Sequence, residues 1–434
     1  MMDLNQKLKE RKAKVAILGL GYVGLPLCLE FLESGFEVIG LDVNENKVKS
    51  LNRAESYVTD ISNEELLKAL NTKRFRVSSD FSLLKEVDTV SVCVPTPLRK
   101  TKEPDISFII SAAENIGKYL KKGQLVVLES TTYPGTTEEI VLPELEKSGL
   151  KVGKDFFLAF SPERIDPGNL KFNLKNTPKI VGGITSNCTE MAVSLYSTIV
   201  NKVIPVSSTQ AAEMVKLLEN TFRAVNIGLV NEIALMADKL NLDVWEIIDA
   251  AASKPFGFLP FYPGPGLGGH CIPVDPHYLS WKLRELNYNP KFIDLAQEIN
   301  SKMPELVVDK IAFALNKFKK ALNGSKVLVL GIAYKKDVGD VRESPALDII
   351  ELLRQKGAQV SYEDKYCPFL HHEHVELKSI TLDYSTFSQY DCIAIVTDHS
   401  YFDYEKVVEF SSVVVDCRNA TRWVKSHKDK IIKI

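Results

Sequence analysis

Lys14-Val-Ala-Ile-Leu-Gly19-Leu-Gly21-Tyr22-Val23-Gly24, continued by an apolar-periodic run from Leu25 to Ser34 and stopped at Gly35, is the stretch on which the fold turns. Lys14 to Leu18 reads as a short buried strand, the three glycines as a turn, and the remainder as a helix, the order that opens a dinucleotide-binding βαβ unit. A tight turn at Gly19, a close approach to pyrophosphate at Gly21 and close helix–strand contact at Gly24 each exclude a side chain, and the helix N-terminus faces the phosphate charge. The next strand, Glu37-Val-Ile-Gly-Leu-Asp42, ends in a carboxylate 18 residues beyond Gly24. A carboxylate there accepts both ribose hydroxyls of adenosine and repels a 2′-phosphate, so the expected cofactor is NAD rather than NADP. Tyr22 and Val23 lie inside the turn and join Gly19, Gly21, Gly24 and Asp42 in the cofactor set.

Further strands follow at Thr89 to Val94, Leu125 to Ser130 and Phe156 to Phe160, and each runs into a polar or Pro/Gly segment. These segments are Pro95-Thr96-Pro97, Thr131-Thr132-Tyr-Pro-Gly135 and Ser161-Pro-Glu163-Arg164. In a parallel sheet they are the carboxyl edges where ligands bind. Prolines alone indicate only turn chemistry. Three such edges containing Thr96, Thr131, Thr132 and Glu163 read as walls of a cofactor and substrate cleft, with Pro95 beside Thr96 among the cofactor candidates.

At 434 residues the chain suits two or three domains, and its 45% hydrophobic and 25% charged content is that of a soluble globular protein. A net charge of -2 gives no reason to expect nucleic acid. No apolar run is long enough to span a bilayer and the N-terminus lacks a signal-like segment, so no membrane partner and a cytoplasmic location are expected. Seven cysteines without a repeated spacing suit a reducing compartment. Cys28, Cys93, Cys188, Cys392 and Cys417 read as small buried fillers. His371-His372-Glu373-His374 reads as a solvated loop ahead of a zinc site, and no metal is expected.

Cys271 is set differently, in Tyr262-Pro-Gly-Pro-Gly-Leu-Gly268-Gly-His270-Cys271-Ile-Pro-Val-Asp275. A plain alcohol dehydrogenase has no use for a nucleophile, so a cysteine beside a nicotinamide suggests oxidation past the aldehyde. Gly266, Gly268 and Gly269 are expected to let a substrate approach the backbone, and Pro273 and Pro276 to hold Asp275 near the cysteine. Upstream, Ser208 to Leu240 is helical by its apolar spacing and about 45 Å long at 1.5 Å per residue. Such a spine needs burial on more than one side, so it connects domains or forms a dimer interface. Lys216 and Asn220 share a face of it. Spacing alone makes them a surface lysine and its neighbour, and Glu213 and Glu219 suit a solvated helix; only the chemistry demanded by Cys271 raises the pair.

A second α/β unit opens at Lys326-Val-Leu-Val-Leu-Gly331, with a helix from Ser344 to Lys356 and strands near 359–362, 392–396 and 413–416. It has one glycine where a dinucleotide turn shows three, so a second dinucleotide is not expected. Its loop, Tyr334-Lys335-Lys-Asp337-Val-Gly-Asp340-Val-Arg342-Glu-Ser344, is suited to a phosphate or an organised substrate.

Gly19-Leu-Gly-Tyr-Val-Gly24, Cys93-Val-Pro-Thr-Pro97, Ser161-Pro-Glu-Arg164, Glu213-Met-Val-Lys-Leu-Leu-Glu-Asn220, Gly268-Gly-His-Cys271 and Lys335 to Pro345 together resemble the UDP-glucose/GDP-mannose dehydrogenase family of nucleotide-sugar 6-dehydrogenases over nearly the whole chain. The resemblance implies an α/β fold of two Rossmann-like parallel-sheet domains joined by a long-helix central region. Its divisions are an NAD domain (13–205), a central dimerisation and catalytic region (206–305) and a UDP-sugar domain (322–434), with a homodimer through the central helix. It implies four-electron oxidation of a sugar C6 alcohol, with Cys271 as nucleophile and with Lys216 and Asn220 stabilising the oxyanion. Glu163, Thr132 and Asp275 resemble residues around the bound water and proton path; the general base stays open among Glu163, Asp275 and Lys216. Lys335 and Arg342 would sit where substrate and cofactor meet, and Glu163, Arg164, Lys216, Asn220, Arg223, Tyr262, Gly268 and Lys335 would contact the UDP-sugar. His270 before the cysteine and Arg223 on the helix resemble the 2-acetamido-sugar branch. The expected sugar is UDP-N-acetylglucosamine, ahead of UDP-N-acetylmannosamine or UDP-N-acetylgalactosamine and then UDP-glucose or GDP-mannose. The rivals are a two-electron hydroxy-acid dehydrogenase, which leaves Cys271 idle, and an NAD-binding sensor or scaffold without turnover.

Overall fold

The computed structural model describes residues 3–58, 61–99, 103–165, 171–269, 271–372 and 375–434. The described chain forms two compact units: residues up to Glu219 with His277–Tyr288, and Asn220–Pro276 with Asn289–Ile434.

In the first unit β1 (Lys14–Leu18), β2 (Glu37–Leu41), β3 (Phe75–Ser78), β4 (Thr89–Val92), β5 (Leu125–Leu128), β6 (Phe157–Phe160), β7 (Lys179–Gly183) and β8 (Val203–Pro205) form one sheet in the order 3-2-1-4-5-6-7-8. Alternating β-strands and helices put apolar residues on both faces, and β4 and β5 are buried along their whole length. Each fully buried Val, Leu or Ile there contributes roughly 1.5–3 kcal/mol. The strand order reverses between β1 and β4, so Gly19 and Cys93 lie side by side at the switch point where such sheets bind ligands. The expected parallel pairing holds from β1 to β6, but β7 runs antiparallel to β6. A parallel return needs a crossover, usually a helix, and the described parts of 161–178 contain none.

In the second unit β9 (Lys326–Leu330), β10 (Gln359–Glu363), β13 (Cys392–Ile395), β14 (Val414–Asp416) and β15 (Ile431–Lys433) make a parallel sheet, and β11 (Phe369–His372) and β12 (Val375–Lys378) a separate hairpin. His371 and His372 therefore lie in a strand rather than a loop, with Glu373 and His374 outside the described residues. Leu370 is the buried side of that strand, an alternation too short to stand out in the sequence.

Helices separate the two sheets along the chain. The long helix Thr209–Lys239 has the expected extent. One face buries Ala212, Leu217, Ala224, Asn231, Ala234 and Ala237, while Leu218, Phe222, Leu229, Met236 and the following Leu240 remain exposed. Within the second unit Gly228 brings this helix against Lys291–Lys317, since a Cβ there would lie 3.1 Å from Ala296 Cα. No helix among the described residues is long and apolar enough to cross a membrane.

Candidate active site

The glycine turn of the first unit separates packing from ligand space. Gly19 has φ +88°, and a Cβ on it would lie 2.4 Å from Cys93 O; a Cβ on Gly24 would lie 1.8 Å from Gly19 O. Both glycines are demanded by the protein itself. A Cβ on Gly21 would meet nothing within 4 Å, so the protein leaves space there of the kind an approaching pyrophosphate needs. Asp42, buried at the end of β2, accepts from Leu20 N–H and Asn44 N–H at 2.9 Å each. Each carboxylate oxygen retains a lone pair for a ribose hydroxyl. The turn therefore fits NAD, with Tyr22 exposed on its outer side.

The strand edges beyond it are tied together. Ser130 Oγ donates to Val94 O at 2.9 Å, and Tyr278 donates to Thr96 O at 2.6 Å, fixing the backbone around Pro95 and Thr96. Thr131 is half-buried and Thr132 buried, the latter sharing a 2.6 Å hydrogen bond with Thr136. Glu163 Oε1 accepts from the N–H groups of Arg164 and Ile165, both at 2.6 Å. The guanidinium of Arg164 grips Glu219 and donates to Pro178 O at 2.6 Å.

Beneath Glu163 lies a buried ionic group that sequence reasoning missed. Lys179 donates to Glu129 Oε2 at 2.5 Å, Tyr196 donates to Glu129 Oε1 at 2.5 Å, and Lys179 Nζ is 3.7 Å from Glu163 Oε2. Burial alone would lower the Lys179 ammonium; Glu129 and then Glu163 hold it above the usual lysine value. The thiol of Cys93, near the same charges, is pushed well up by desolvation and then by Glu129.

Glu213 corrects the expectation of a solvated helix. It is fully buried and accepts from Gly135 N (2.6 Å), Thr137 N (2.9 Å) and Thr137 Oγ1 (2.6 Å). It thereby fixes the loop that carries Thr131 and Thr132. Desolvation raises its carboxyl to about 7 despite these three donors. Glu219 is likewise engaged, by Arg164. Lys216, one turn after Glu213, is nine-tenths buried and has no carboxylate within salt-bridge distance among the described residues. A buried ammonium left without a protein anion suits a site in which an anion forms.

In the second unit Asn220 donates to Asp275 Oδ2 at 2.5 Å. Asp275 N–H and Val274 N–H donate to Cys271 O at 2.8 and 3.1 Å, so cysteine and aspartate are held by the turn that starts the helix Asp275–Glu285. Cys271 itself is half-buried, and so is Cys93, which lies one residue past β4 rather than buried within a strand as expected, whereas Cys28, Cys188, Cys392 and Cys417 are buried. His270 lies outside the described residues. The glycines before the cysteine serve packing rather than substrate approach: a Cβ on Gly268 would lie 2.7 Å from Tyr334 Cβ, one on Gly269 2.9 Å from the Tyr334 ring, and one on Gly266 3.1 Å from Pro345 Cβ. The sequence shows that side chains are missing there but not what fills their place. Gly269 N–H also donates to Arg342 O at 3.1 Å, which joins the Cys271 loop to the loop of Lys335 and Arg342. Arg342 is itself held by Asp340 through Nε and Nη2, at 3.0 and 2.6 Å.

Tyr262 donates to Asp249 at 2.8 Å and stacks on Trp245, and Arg223 is exposed on the long helix. Arg418, which sequence reasoning passed over, donates to Val396 O at 2.9 Å beyond the end of β14, and its guanidinium lies over Gly264. Among the described residues no cluster of three or more His, Cys, Asp or Glu side chains could hold a metal ion.

The chain matches the UDP-glucose/GDP-mannose dehydrogenase family in three successive parts: the NAD binding domain over residues 13–200, the central domain over 210–302 and the UDP binding domain over 328–422. It belongs to that family. Its resemblance extends to individual members over almost their full length. It is 37% identical over 397 residues to the UDP-N-acetyl-D-glucosamine 6-dehydrogenase of Salmonella typhi, covering 90% of this chain and 91% of that one. It is 36% identical over 411 residues to the UDP-N-acetyl-D-mannosamine dehydrogenase of Methanococcus maripaludis strain C7, covering 94% and 91%. Its fold superposes on the solved UDP-D-ManNAc dehydrogenase of Pyrococcus horikoshii with TM-score 0.87 at 32% identity, covering 97% and 98%. The protein is an NAD-dependent nucleotide-sugar dehydrogenase.

Proposed function

We propose that this dehydrogenase oxidises the C6 alcohol of a UDP-linked 2-acetamido sugar to the carboxylate, with UDP-N-acetylmannosamine ahead of UDP-N-acetylglucosamine. This reverses the order expected from the residues around Cys271. The observation that carries it is the near full-length similarity to UDP-N-acetylmannosamine dehydrogenases in both sequence and fold. The expected division at 13–205, 206–305 and 322–434 is kept as the functional layout. Gly19 to Gly24 and Asp42 would hold NAD, which would supply the acceptor for the hydride lost from C6 in each of the two oxidations.

The chain's own residues supply the rest. Once C6 is an aldehyde, the Cys271 thiolate adds to it, an S–C bond forms, and the carbonyl electrons move to oxygen. Lys216, a buried ammonium, and the second amide hydrogen of Asn220 stabilise that oxygen while the first holds Asp275. Loss of hydride from C6 leaves a thioester. Water then adds as a base from the set Glu163, Asp275 and Lys216 takes its proton, with Thr132 orienting it; the S–C bond breaks and the thiolate returns. The balance is one alcohol, two NAD and one water to one carboxylate, two NADH and three protons.

Arg164, Tyr262, Lys335 and Arg342 frame the UDP-sugar, while Gly268, expected among its contacts, packs against Tyr334. The exposed row Leu218, Phe222, Leu229, Met236 and Leu240 seats a second copy of the chain, with exposed Arg223 reaching the partner's site.

The test is a panel of UDP-N-acetylmannosamine, UDP-N-acetylglucosamine, UDP-N-acetylgalactosamine, UDP-glucose and GDP-mannose, with NADH counted per product. Two NADH per sugar acid and the highest kcat/KM on UDP-N-acetylmannosamine are expected, and Cys271→Ser abolishes net turnover. One NADH with released aldehyde sinks the mechanism; a higher kcat/KM on another sugar sinks the substrate assignment alone.

A further inference from the structure

We infer that His399 is a positioning residue: its unprotonated Nδ1 holds the loop bearing Lys335 and Arg342, and through it the backbone leading to Cys271. This rests on the reading above that the loop meets the UDP-sugar. His399 is completely buried. The backbone N–H of Asp337 donates to its Nδ1 at 2.9 Å. A backbone N–H only donates, so Nδ1 carries a lone pair and the ring hydrogen of the neutral imidazole sits on Nε2. Nε2–H in turn donates to Asp364 Oδ2 at 3.0 Å.

Both partners are fixed. Asp364 Oδ2 also accepts from Ile332 N–H and Ala333 N–H at 2.9 and 3.0 Å. Asp337 sits in the left-handed region at φ 58°, and its carboxylate accepts from Ser400 N–H at 2.8 Å and Ser400 Oγ at 2.5 Å. The rings of Tyr366, Tyr401 and Phe402 surround the imidazole. Three residues after Asp337 the loop closes on itself, with Tyr334 N–H donating to Asp340 O at 2.9 Å. Arg342 O then accepts from Gly269 N–H, and the Tyr334 ring occupies the space above Gly269, two residues before Cys271. The path from Asp364 through His399 and Asp337 to Gly269 is a continuous run of direct contacts within one unit. An apolar ring could fill the same volume, but it would take this acceptor away from the Asp337 N–H.

His399→Asn places a side-chain oxygen close to the Nδ1 position and keeps the acceptor; His399→Leu removes both hydrogen bonds. Binding of UDP alone is measured by calorimetry, beside KM for the UDP-sugar and for NAD. For His399→Leu, UDP affinity and sugar KM are expected to worsen about tenfold or more with NAD KM unchanged, while His399→Asn stays within about threefold of the wild type. The ¹⁵N spectrum of histidine-labelled wild type is expected to contain one imidazole with bare Nδ1 and protonated Nε2. A fully Nδ1-protonated set, an Asn variant as weak as ten percent of wild-type UDP affinity, or a folded Leu variant with unchanged UDP affinity overturns the inference. The spectrum and the Asn variant decide the matter if the Leu variant does not fold. Lys335→Ala separates the two levels: unchanged UDP binding there removes the loop's assignment and the inference with it. Weakened binding there with unchanged binding in His399→Leu removes the inference alone.

Discussion

Substituting Gly21 and Gly24 separately by alanine splits cofactor recognition from folding. A Cβ on Gly24 falls 1.8 Å from Gly19 O and 3.2 Å from Ile17 Cγ2, so the turn or the helix must move. Overpacking of this kind costs about 1–3 kcal/mol, and a backbone neighbour that cannot swing aside puts the change at the upper end. Gly21 lacks a positive φ and its added Cβ meets nothing within 4 Å. Alanine there narrows the unfolded ensemble and is expected to leave stability equal or raised by up to about 1 kcal/mol. In the proposed cofactor site the same methyl group would stand in the path of the pyrophosphate, and loss of one hydrogen bond to that charge costs about 1.5–3 kcal/mol. At 1.4 kcal/mol per decade this is about 10- to 150-fold in NAD affinity. NADH fluorescence titration gives the affinity and thermal unfolding the stability. Gly21→Ala is expected to unfold like the wild type and bind NADH poorly, and Gly24→Ala to lose thermal midpoint. Wild-type NADH affinity in Gly21→Ala, or equal destabilisation by the two changes, refutes the division of labour between these glycines.

Three other outcomes follow from the buried groups and the helix. The Glu213 carboxyl is raised by desolvation from 4.5 to about 7, so the unfolded chain ionises first as pH rises between these values. Native stability is therefore lost by about 3 kcal/mol across that window, and urea midpoints from pH 5 to 7.5 should fall more steeply in wild type than in Glu213→Gln. Lys179→Met strands Glu129 in the interior and should cost about 3–5 kcal/mol by urea unfolding, with much of it recovered in Lys179→Met/Glu129→Leu; an unchanged midpoint in the single variant would show that the pair is not buried in solution. Leu229→Arg places a charge in the exposed apolar row and is expected to lower sedimenting mass from dimer to monomer at micromolar concentration, while a wild type that already sediments as a monomer rejects the proposed interface.

How much of this was legible in the sequence depends on how far apart in the chain the partners lie. Gly19, Gly21, Gly24 and Asp42 form a local pattern whose meaning survives without coordinates, and the long helix announced itself by spacing. The Lys179–Glu129 pair spans 50 positions and the Glu213 contacts with Gly135 and Thr137 span 78 and 76, so no local pattern marks them. Glu213 and Lys216 looked like helix surface because charge was the only visible property. Burial reverses that reading: the turn at Gly135 and Thr137 covers Glu213, and Lys216 is nine-tenths buried one turn along. At Gly268 and Gly269 the missing side chains were visible but the Tyr334 ring that fills their place was 65 or more positions away.

The two sheets give the clearest instance of one frame with different occupants. Gly19 N–H donates to Leu41 O at 2.8 Å, and Gly331 N–H to Glu363 O at 2.9 Å. Each glycine has positive φ and each faces the backbone of the strand across the switch point, Cys93 or Thr397. Each following strand ends in an aspartate, Asp42 or Asp364, that accepts backbone N–H groups from the turn. Asp42 receives one donor per oxygen and has capacity for two ribose hydroxyls. Asp364 receives Ile332, Ala333 and His399 on Oδ2 and Tyr366 and Cys367 on Oδ1, which exceeds the roughly four acceptor sites of a carboxylate. Burial would raise Asp364, but His399 and these N–H groups hold it below the usual carboxylate value. An aspartate so occupied has nothing left to offer a ribose, which explains in physical terms why the turn of the first sheet suits a dinucleotide and the matching turn of the second does not.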